Sequence, residues 1–186
     1  MRALFLRHGE SAHNAHSGEE PLSDQEGDRL TALGVEQARA AGAGLRDRGV
    51  TRLLTSPMRR ARETAAGVGE ALGMEAEELD YTYELHAGEG FEGAIARVRR
   101  LQTELEAGAG GELPLLVTHG IFTRFFLLDS ILGDGFRAEM AGGAWNLGSH
   151  NCGLTTFAHG EAKFPNGQLV PGWACLTWME RPWDRP

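Results

Sequence analysis

Two histidines in this chain follow short apolar runs, and each is followed by glycine. The first run leads into residues 4–9 (LFLRHG), and the second leads into residues 115–120 (LLVTHG). In open parallel sheets, ligands gather beyond the carboxyl ends of the strands, where His8 and His119 are predicted to lie. One such histidine alone is more simply a polar strand terminus. Two matched cases in one small sheet favour a shared site, at which Gly120 lets the backbone approach a ligand.

A cluster of arginines lies in residues 56–62 (SPMRRAR). Serine followed by proline is a strong helix start, with Ser56 as the N-cap and proline at the first helical position. Cations in the first turn interact unfavourably with the helix dipole. An anion bound at that helix end would offset this cost and would explain the arginines. We expect one arginine to point inward and clamp this anion, while Arg59 and Arg62 form a solvated face. Arg7 supplies another cation beside the first histidine.

These residue types together suit phosphoryl transfer. A neutral imidazole is a good nucleophile toward phosphorus and gives a covalent phosphohistidine. The transferred group carries negative charge, which arginines and a second histidine can neutralise without a metal. A carboxylic acid must protonate the leaving oxygen and then activate water. Glu78, Glu84 and Glu89 are the candidates for this acid, and the residue types alone leave the three open.

Other residues near these motifs have alternative interpretations. His13 and His16 could ligate a metal together with His8, but their spacings match no standard site, so solvent exposure or a contact with substrate at the rim is favoured. Trp145 lies in a glycine-rich stretch and lines either the mouth of a pocket or a subunit contact. Cys152 has no evident activating base and is interpreted as structural.

Composition is that of an ordinary globular protein, and 186 residues fit a single domain spanning residues 1–186. The formal net charge of −8 argues against binding to nucleic acid or to an anionic membrane surface. The two cysteines form no disulfide framework. The chain starts without the apolar core of a secretory signal, and its most apolar stretch, 121–132, is too short to span a bilayer. A cytoplasmic protein is therefore expected.

Short apolar runs alternate with helical patterns, which predicts an α/β domain with a mainly parallel sheet. The predicted strands are residues 3–6, 50–55, 74–79, 113–117, 153–158 and 173–179, the last two as an antiparallel pair. The predicted helices are residues 31–48, 56–72, 91–106 and 120–132. Residues 12–30 are predicted to be a long surface loop, and residues 181–186 an irregular tail.

Four ordered motifs give the chain a resemblance to a known family. They are LRHGES at 6–11 followed by Asn14, LTxxGxxQA at 30–38, SPMxRAxxT at 56–64, and VTHG at 117–120. On these motifs, which fall within residues 5–120, the chain resembles the histidine phosphatase superfamily, also called the phosphoglycerate mutase-like family.

The resemblance implies a three-layer α/β/α sandwich with one phosphate pocket. In that pocket His8 is the nucleophile, and Arg7, Arg60 and His119 bind the phosphate. The motif around the second arginine selects Arg60 over its neighbours. Asn14 is also expected to contact the phosphate, because family members place a polar side chain there.

The resemblance also favours Glu84 as the general acid, although the glycine-rich continuation at 88–93 carries one extra residue. The resemblance also implies that mutases of the family are longer chains, with insertions that shield the phosphoenzyme from water. A chain of 186 residues has little room for such insertions, so the phosphatase branch is expected here. A phosphoglycerate mutase and a non-catalytic phospho-ligand binder are the alternatives. The expected partner is a small phosphorylated metabolite, or a phosphoprotein, and the reaction needs no metal or other cofactor. The oligomeric state is left open, with a homodimer among the alternatives.

Overall fold

A single sheet of six strands lies at the centre of the fold. The computed structural model describes residues 1–18, 20, 22–86, 88–108, 110–163 and 165–184. The strands are β1 (Arg2–Arg7), β2 (Arg52–Thr55), β3 (Ala76–Glu78), β4 (Pro114–Thr118), β5 (Leu154–Lys163) and β6 (Leu169–Glu180). They lie in the order β3-β2-β4-β1-β5-β6. The first four strands are mutually parallel, and β5 and β6 add an antiparallel hairpin beside β1. The prediction of a mainly parallel sheet is confirmed.

Helices connect the strands and cover both faces of the sheet. The α-helices of the described residues are α1 (Ala12–Ala15), α2 (Asp24–Gly27), α3 (Ala32–Leu45), α4 (Arg59–Leu72), α5 (Gly90–Glu106), α6 (Gly120–Leu132) and α7 (Ala138–Ala141). Short 3₁₀ helices follow at Gly133–Gly135 and Gly142–Asn146. None of the helices in the described part of the chain is both long and apolar enough to cross a membrane.

Alternate residues of β1 build two separate cores, because side chains along a strand point to opposite faces. Leu6 packs with Val68 of α4 in the core shared by α3 and α4. Phe5 packs on the other face with Phe126 of α6 and Phe157 of β5, with ring centroids 4.7 and 5.0 Å from its own. The sheet is thus enclosed between two helical layers, and the predicted three-layer α/β/α sandwich is confirmed.

The predicted long loop over residues 12–30 contains two single-turn helices, α1 and α2. Ser11 caps α1 by accepting a hydrogen bond from Asn14 N, and Ser23 caps α2 by accepting one from Glu26 N. In both cases the third helical side chain reaches back to the N-cap, which completes a capping box. Helices of four residues show no apolar periodicity, so the sequence pattern could not indicate them.

The prediction that Ser56 caps the second long helix is wrong. α4 begins at Arg59 with Met58 as its N-cap, and no side chain caps it. Ser56 instead continues the strand pairing, since its N–H donates to Val117 O of β4 at 2.9 Å. The sheet therefore holds the backbone extended beyond the point at which Ser-Pro would start a helix.

The carboxyl-terminal hairpin is longer than predicted, because β5 and β6 remain paired out to Lys163 and Leu169. β3 is shorter than predicted. Residues 181–184 form turns, and Trp183 packs against the core on the α3 side. The last two residues of the predicted tail, 185 and 186, lie outside the described residues.

Two glycines of the sequence motifs touch each other and fix the loop after β1. A Cβ added to Gly9 would lie 2.5 Å from Gly34 O, and one added to Gly34 would lie 2.1 Å from Glu10 O. Both are backbone atoms that cannot rotate away. Because Gly34 lies in the first turn of α3, these glycines let that helix end pack directly on the loop that carries His8.

Candidate active site

The two histidines lie side by side at the carboxyl ends of neighbouring strands. β1 pairs with β4 so that Arg7 is opposite Thr118, and His8 N donates to Thr118 O at 2.9 Å. The rings of His8 and His119 follow with centroids 5.2 Å apart. Both side chains are buried. The sheet register therefore creates the shared site that the paired motifs predict.

Hydrogen bonds fix the tautomer of His8. Nδ1 lies 2.7 Å from Gly9 O and must donate to this carbonyl, which leaves Nε2 unprotonated in the neutral ring. Arg60 Nε donates to Nε2 at 3.1 Å. Burial lowers the pKa of His8 well below its ordinary value, and the charges of Arg60 and Arg7 lower it further. His8 thus presents a neutral ring with a lone pair at Nε2.

A hydrogen bond with Ser56 likewise determines which ring nitrogen of His119 carries the proton. Ser56 Oγ accepts from Met58 N at 3.3 Å and lies 2.7 Å from His119 Nε2. The hydroxyl proton has no other acceptor among the described residues, so it donates to Nε2, and the ring proton lies on Nδ1. Nδ1 is buried without a partner in the described part of the chain. Burial lowers the pKa of His119 well below normal, and the neighbouring His8 and arginines add to this.

The two arginines are held by different parts of the chain. Arg7 Nη1 donates to Ser149 O at 2.8 Å, whereas Arg7 Nε is buried and has no partner among the described residues. Arg60 is buried on the first turn of α4 with its Nε on His8. Burial lowers the pKa of Arg7 from its normally high value. Two guanidinium groups and two neutral imidazoles thus face one another, an arrangement that suits a phosphate dianion.

The other two arginines of the 56–62 segment point away from the site, as predicted. Arg59 pairs with Glu63 at 2.6 Å, and Arg62 pairs with Glu78 at 3.4 Å. Both arginine side chains are more than half exposed. Arg60 is therefore the inward-pointing arginine of this segment.

A carboxylate of the chain itself, Asp28, lies at the start of α4. Asp28 accepts from Arg59 N at 2.8 Å and from Arg60 N at 3.4 Å, and it pairs with Arg60 Nη1 at 2.7 Å. The expected anion at this helix end is thus an aspartate, and a bound phosphate is left to the guanidinium side chains. Nothing in the local sequence pattern around Asp28 indicates a contact with residues more than 30 positions away.

Of the three candidate acids, the structure brings only Glu84 to the histidines. Its carboxyl group accepts from Ile121 N and Phe122 N at 3.2 Å, at the start of α6, and from Leu85 N at 3.1 Å. Burial raises the pKa of Glu84 above its ordinary value, although these N–H donors and the charge of Arg60 oppose the shift. Glu84 can therefore hold a proton at higher pH than an exposed glutamate.

The other two glutamates lie outside the site. Glu89 forms a buried ion pair with Arg97, whose Nη1 also donates to Tyr81 O and Tyr83 O at 2.8 Å. This pair fixes the segment that leads to Glu84. Glu78 lies on the exposed edge strand β3 and pairs with Arg62.

Two open cavities share Glu84 and Leu85 in their linings, and we call them the larger and the smaller lobe of the site. The larger lobe, of about 520 Å³, is lined by residues that include Arg60 and Asp28. The smaller lobe, of about 390 Å³, is lined by Arg7, Asn14, Glu84, Leu85, Gly120, Ile121, Arg124, Trp145 and Ser149. The predicted substrate-binding residues Asn14 and Gly120 thus lie at this lobe. Asn14 Oδ1 accepts from Asn151 Nδ2 at 2.9 Å, and Asn151 also donates to His8 O at 3.2 Å.

His13 and Trp145 line the two lobes, whereas His16 lies outside both of them. His13 lines the larger lobe and stacks against Gly27, while His16 is exposed with Nε2 2.7 Å from Glu20 O. In the described part of the chain, no three His, Cys, Asp or Glu residues converge as a metal site. Trp145 is 66% exposed at the smaller lobe. Cys152 is buried, and burial raises the pKa of its thiol to about 12, so it stays protonated.

The hydroxyl of Ser56 is expected to matter for activity although it touches only His119. We predict that Ser56→Ala lowers kcat/KM for a phosphomonoester about tenfold, because Nε2 loses its donor and the ring proton is no longer confined to Nδ1. Ser56→Thr, which keeps the hydroxyl, should retain most of the activity. Long-range ¹H–¹⁵N NMR of the histidine rings checks the tautomer directly. An unchanged His119 tautomer in Ser56→Ala would contradict this role.

Comparisons with known proteins concern the family and the fold. Residues 3–89 match the histidine phosphatase superfamily (branch 1). A probable phosphoglycerate mutase of Yersinia enterocolitica is 28% identical over 93% of this chain and 90% of its own length. Mycobacterial glucosyl-3-phosphoglycerate phosphatase has the same fold, with a TM-score of 0.73 at 23% identity over 97% of this chain and 99% of that one. A phosphoserine phosphatase of Entamoeba histolytica, in complex with 3-phosphoglyceric acid, also has this fold, with a TM-score of 0.70 at 16% identity over 98% of each chain.

The segment that matches the family contains His8, Arg60 and Glu84, and the Yersinia relative extends the similarity over nearly the whole chain. The fold, the paired histidines at the ends of β1 and β4 and these matches agree with one another. The chain is thus similar to the histidine phosphatase superfamily over residues 3–89.

Proposed function

We propose that this protein is a phosphatase that hydrolyses a small phosphomonoester through a phosphohistidine on His8, without a metal. The observation that carries the proposal is the state of His8: a buried ring whose Nε2 is unprotonated and is flanked by Arg7, Arg60 and His119. A neutral nitrogen in a cationic pocket can attack a phosphate that the same pocket binds.

The first step transfers the phosphoryl group to the enzyme. Arg60 Nε turns its hydrogen bond from His8 Nε2 to a phosphoryl oxygen, which frees the lone pair of Nε2. His8 Nε2 then attacks phosphorus in line, and the bond from phosphorus to the ester oxygen breaks as the N–P bond forms. Glu84, in its protonated form, gives its proton to the leaving oxygen, so the product is an alcohol. Arg7, Arg60 and the Nδ1–H of His119 hold the phosphoryl oxygens.

The second step releases phosphate. Water attacks phosphorus, Glu84 in its ionised form takes one proton from it, and the N–P bond breaks so that His8 regains its lone pair. Glu84 is thereby reprotonated for the next cycle. A raised pKa suits a group that must give and take a proton in turn, and burial of the carboxyl group supplies that shift.

A phosphoglycerate mutase is the second candidate, and the name of the Yersinia relative favours it. A mutase would use the same phosphohistidine but would return the phosphoryl group to a phosphoglycerate instead of to water. The two candidates differ in product: a phosphatase releases inorganic phosphate, whereas a mutase gives the isomeric phosphoglycerate.

Hydrolysis of p-nitrophenyl phosphate in the presence of EDTA tests the proposal. We expect steady release of p-nitrophenol and inorganic phosphate that EDTA does not reduce, because the pocket neutralises charge with arginines and histidines. Loss of activity in EDTA, restored by a divalent cation, would contradict the metal-free route. Phosphoglycerate isomerised with little phosphate release would favour the mutase, and binding of phosphate without turnover of any ester would favour a binding protein.

A further inference from the structure

A turn at residues 150–153, just before β5, contacts the backbone of the first histidine. The N–H of its last residue donates to the carbonyl group of its first at 2.9 Å, which closes the turn. From within it, Cys152 N and Asn151 Nδ2 both donate to His8 O, each at 3.2 Å. The carbonyl group of His8 is thus fixed by two donors from a segment that the proposed reaction does not use.

The backbone of this turn is strained at Cys152. Its φ of +50° lies in the left-handed region, which residues with a Cβ adopt only at a cost in free energy. In this conformation Cys152 N points at His8 O, and the side chain of the preceding residue, Asn151, reaches the same oxygen. The contacts with the site, rather than local backbone preference, therefore determine the shape of the turn.

The side chain of Asn151 bridges two parts of the site. Besides its contact with His8 O, its Nδ2 lies 2.9 Å from Asn14 Oδ1. A carbonyl oxygen only accepts, so the Asn151 atom that faces His8 O must be the Nδ2 donor. The same donor faces Asn14, whose amide must therefore turn its oxygen toward Asn151. Ser11 N also donates to this oxygen, at 3.3 Å.

The nitrogen end of the Asn14 amide is left for a ligand. Asn14 lines the smaller lobe, and its Nδ2 makes no hydrogen bond within the described residues. Arg7 Nε and His119 Nδ1 are buried and likewise have no partner in the described part of the chain. Three N–H donors of the site are thus unpaired, and the oxygen atoms of a phosphate can accept from all of them.

We propose that Asn151 is a positioning residue for phosphate binding, because it holds the Asn14 amide with Nδ2 available to a phosphoryl oxygen. The proposal rests on the proposed function, which places a phosphate at His8. The two ends of an asparagine amide have nearly the same shape, so hydrogen-bond partners decide which end faces a ligand. With the amide reversed, the oxygen of Asn14 would face the phosphate and repel it.

Binding of inorganic phosphate to Asn14→Ala, Asn151→Ala and the double variant tests the proposal. Isothermal titration calorimetry measures the dissociation constants. We expect Asn14→Ala to weaken binding about tenfold, because a hydrogen bond to a charged group is lost. Asn151→Ala should weaken it about fivefold, because the Asn14 amide can then reverse. The double variant should bind at most about twofold more weakly than Asn14→Ala, since both changes remove the same contact.

Asn151→Asp separates the donor from the shape of the side chain. The carboxylate is as large as the amide but only accepts, so Asn14 would turn its Nδ2 toward it and away from phosphate. ¹H–¹⁵N spectra report the Asn14 side-chain amide directly, with Asn14→Ala giving the assignment. In the wild type its signals should shift when saturating phosphate is added, and in folded Asn151→Asp they should not. A wild-type shift in Asn151→Asp would overturn the proposal.

A merely structural role of Asn151 gives a different result. If Asn151 acts only by holding His8 O, the two losses multiply to about fiftyfold in the double variant, and the proposal is overturned. It is overturned as well if Asn151→Ala binds phosphate as tightly as the wild type. Asn166→Ala, which removes an exposed asparagine between β5 and β6, is the matched control and should bind phosphate normally.

Phosphate binding does not depend on turnover, so the two proposals can fail separately. Failure to hydrolyse p-nitrophenyl phosphate would count against the phosphatase alone. A wild-type protein that does not bind phosphate would overturn the role of Asn151 together with the proposed function.

Discussion

His8→Ala is expected to lower kcat for p-nitrophenyl phosphate by about 10⁴-fold or more, because it removes the atom that forms the covalent intermediate. The arginines and His119 would still bind phosphate, so affinity for inorganic phosphate should survive. Rapid quenching with a ³²P-labelled substrate should trap a phosphoenzyme in the wild type that is labile in acid and stable in base, and none in His8→Ala. The acid limb of the wild-type pH profile should lie below pH 6.5, since the pKa of His8 is lowered and activity falls only as the ring protonates.

His16→Ala is the matched control for this substitution. His16 is exposed and outside the cavity lobes, so its removal should leave both turnover and labelling unchanged. Thermal unfolding of both proteins shows whether loss of the buried His8 ring disturbs the fold. A folded His8→Ala protein that keeps one tenth of wild-type turnover, or that still labels, would refute His8 as the nucleophile.

The strands and the paired histidines could be predicted because both depend on local pattern. β4 is an apolar run buried at every position, as expected of a central parallel strand, and the histidine follows it directly. What the sequence could not specify is that β1 and β4 are neighbours, since more than 100 residues separate them. The register that sets Arg7 opposite Thr118 is a property of the folded sheet.

The residues of the site that local sequence pattern does not indicate act through partners distant in the chain. Ser56 has the local signature of a helix cap, but pairing with Val117 O holds it in the strand, where its hydroxyl meets His119. Asp28 reaches α4 from a polar segment with no periodicity. Arg124 lies within a strongly apolar helix, where an isolated arginine is a signal in itself, because burying a cation needs a compensating partner. That signal was present in the sequence, and only the fold shows that the partner is Leu147 O at the cavity.

The residue types alone left the choice among the three glutamates open, and in the sequence only the resemblance to the family favoured Glu84. Glu84 and Glu89 lie in the same irregular stretch, and spacing alone does not separate them. Arg97 from α5 separates them, because it binds Glu89 and the carbonyl groups of Tyr81 and Tyr83, and so holds the segment with Glu84 turned toward α6. Glu89 is thus accounted for by an ion pair, while Glu84 accepts hydrogen bonds at the start of α6, shortly after His119, and burial raises its pKa.

Glu84→Gln is accordingly expected to slow hydrolysis of an alkyl phosphate by about 10²–10⁴-fold, because an alkoxide cannot leave without a proton. p-Nitrophenolate needs no proton, so the first step with p-nitrophenyl phosphate should remain fast. The second step still lacks its base. The variant should therefore release a burst of about one equivalent of p-nitrophenol per enzyme, followed by slow turnover. Stopped-flow absorbance measures both phases.

The pH dependence gives an independent measurement of the same group. With an alkyl phosphate, wild-type activity should fall as pH rises through the raised pKa of Glu84, since the acid is lost, and this alkaline limb should be absent in Glu84→Gln. Glu78→Gln makes the same chemical change on an exposed strand and should show neither the burst nor the altered profile. If Glu89→Gln gave the burst and Glu84→Gln did not, the general acid would be Glu89, and its ion pair with Arg97 would have to open during the reaction. Retention of the alkaline limb in Glu84→Gln would likewise assign that limb to another group, because glutamine has no proton to lose in this range.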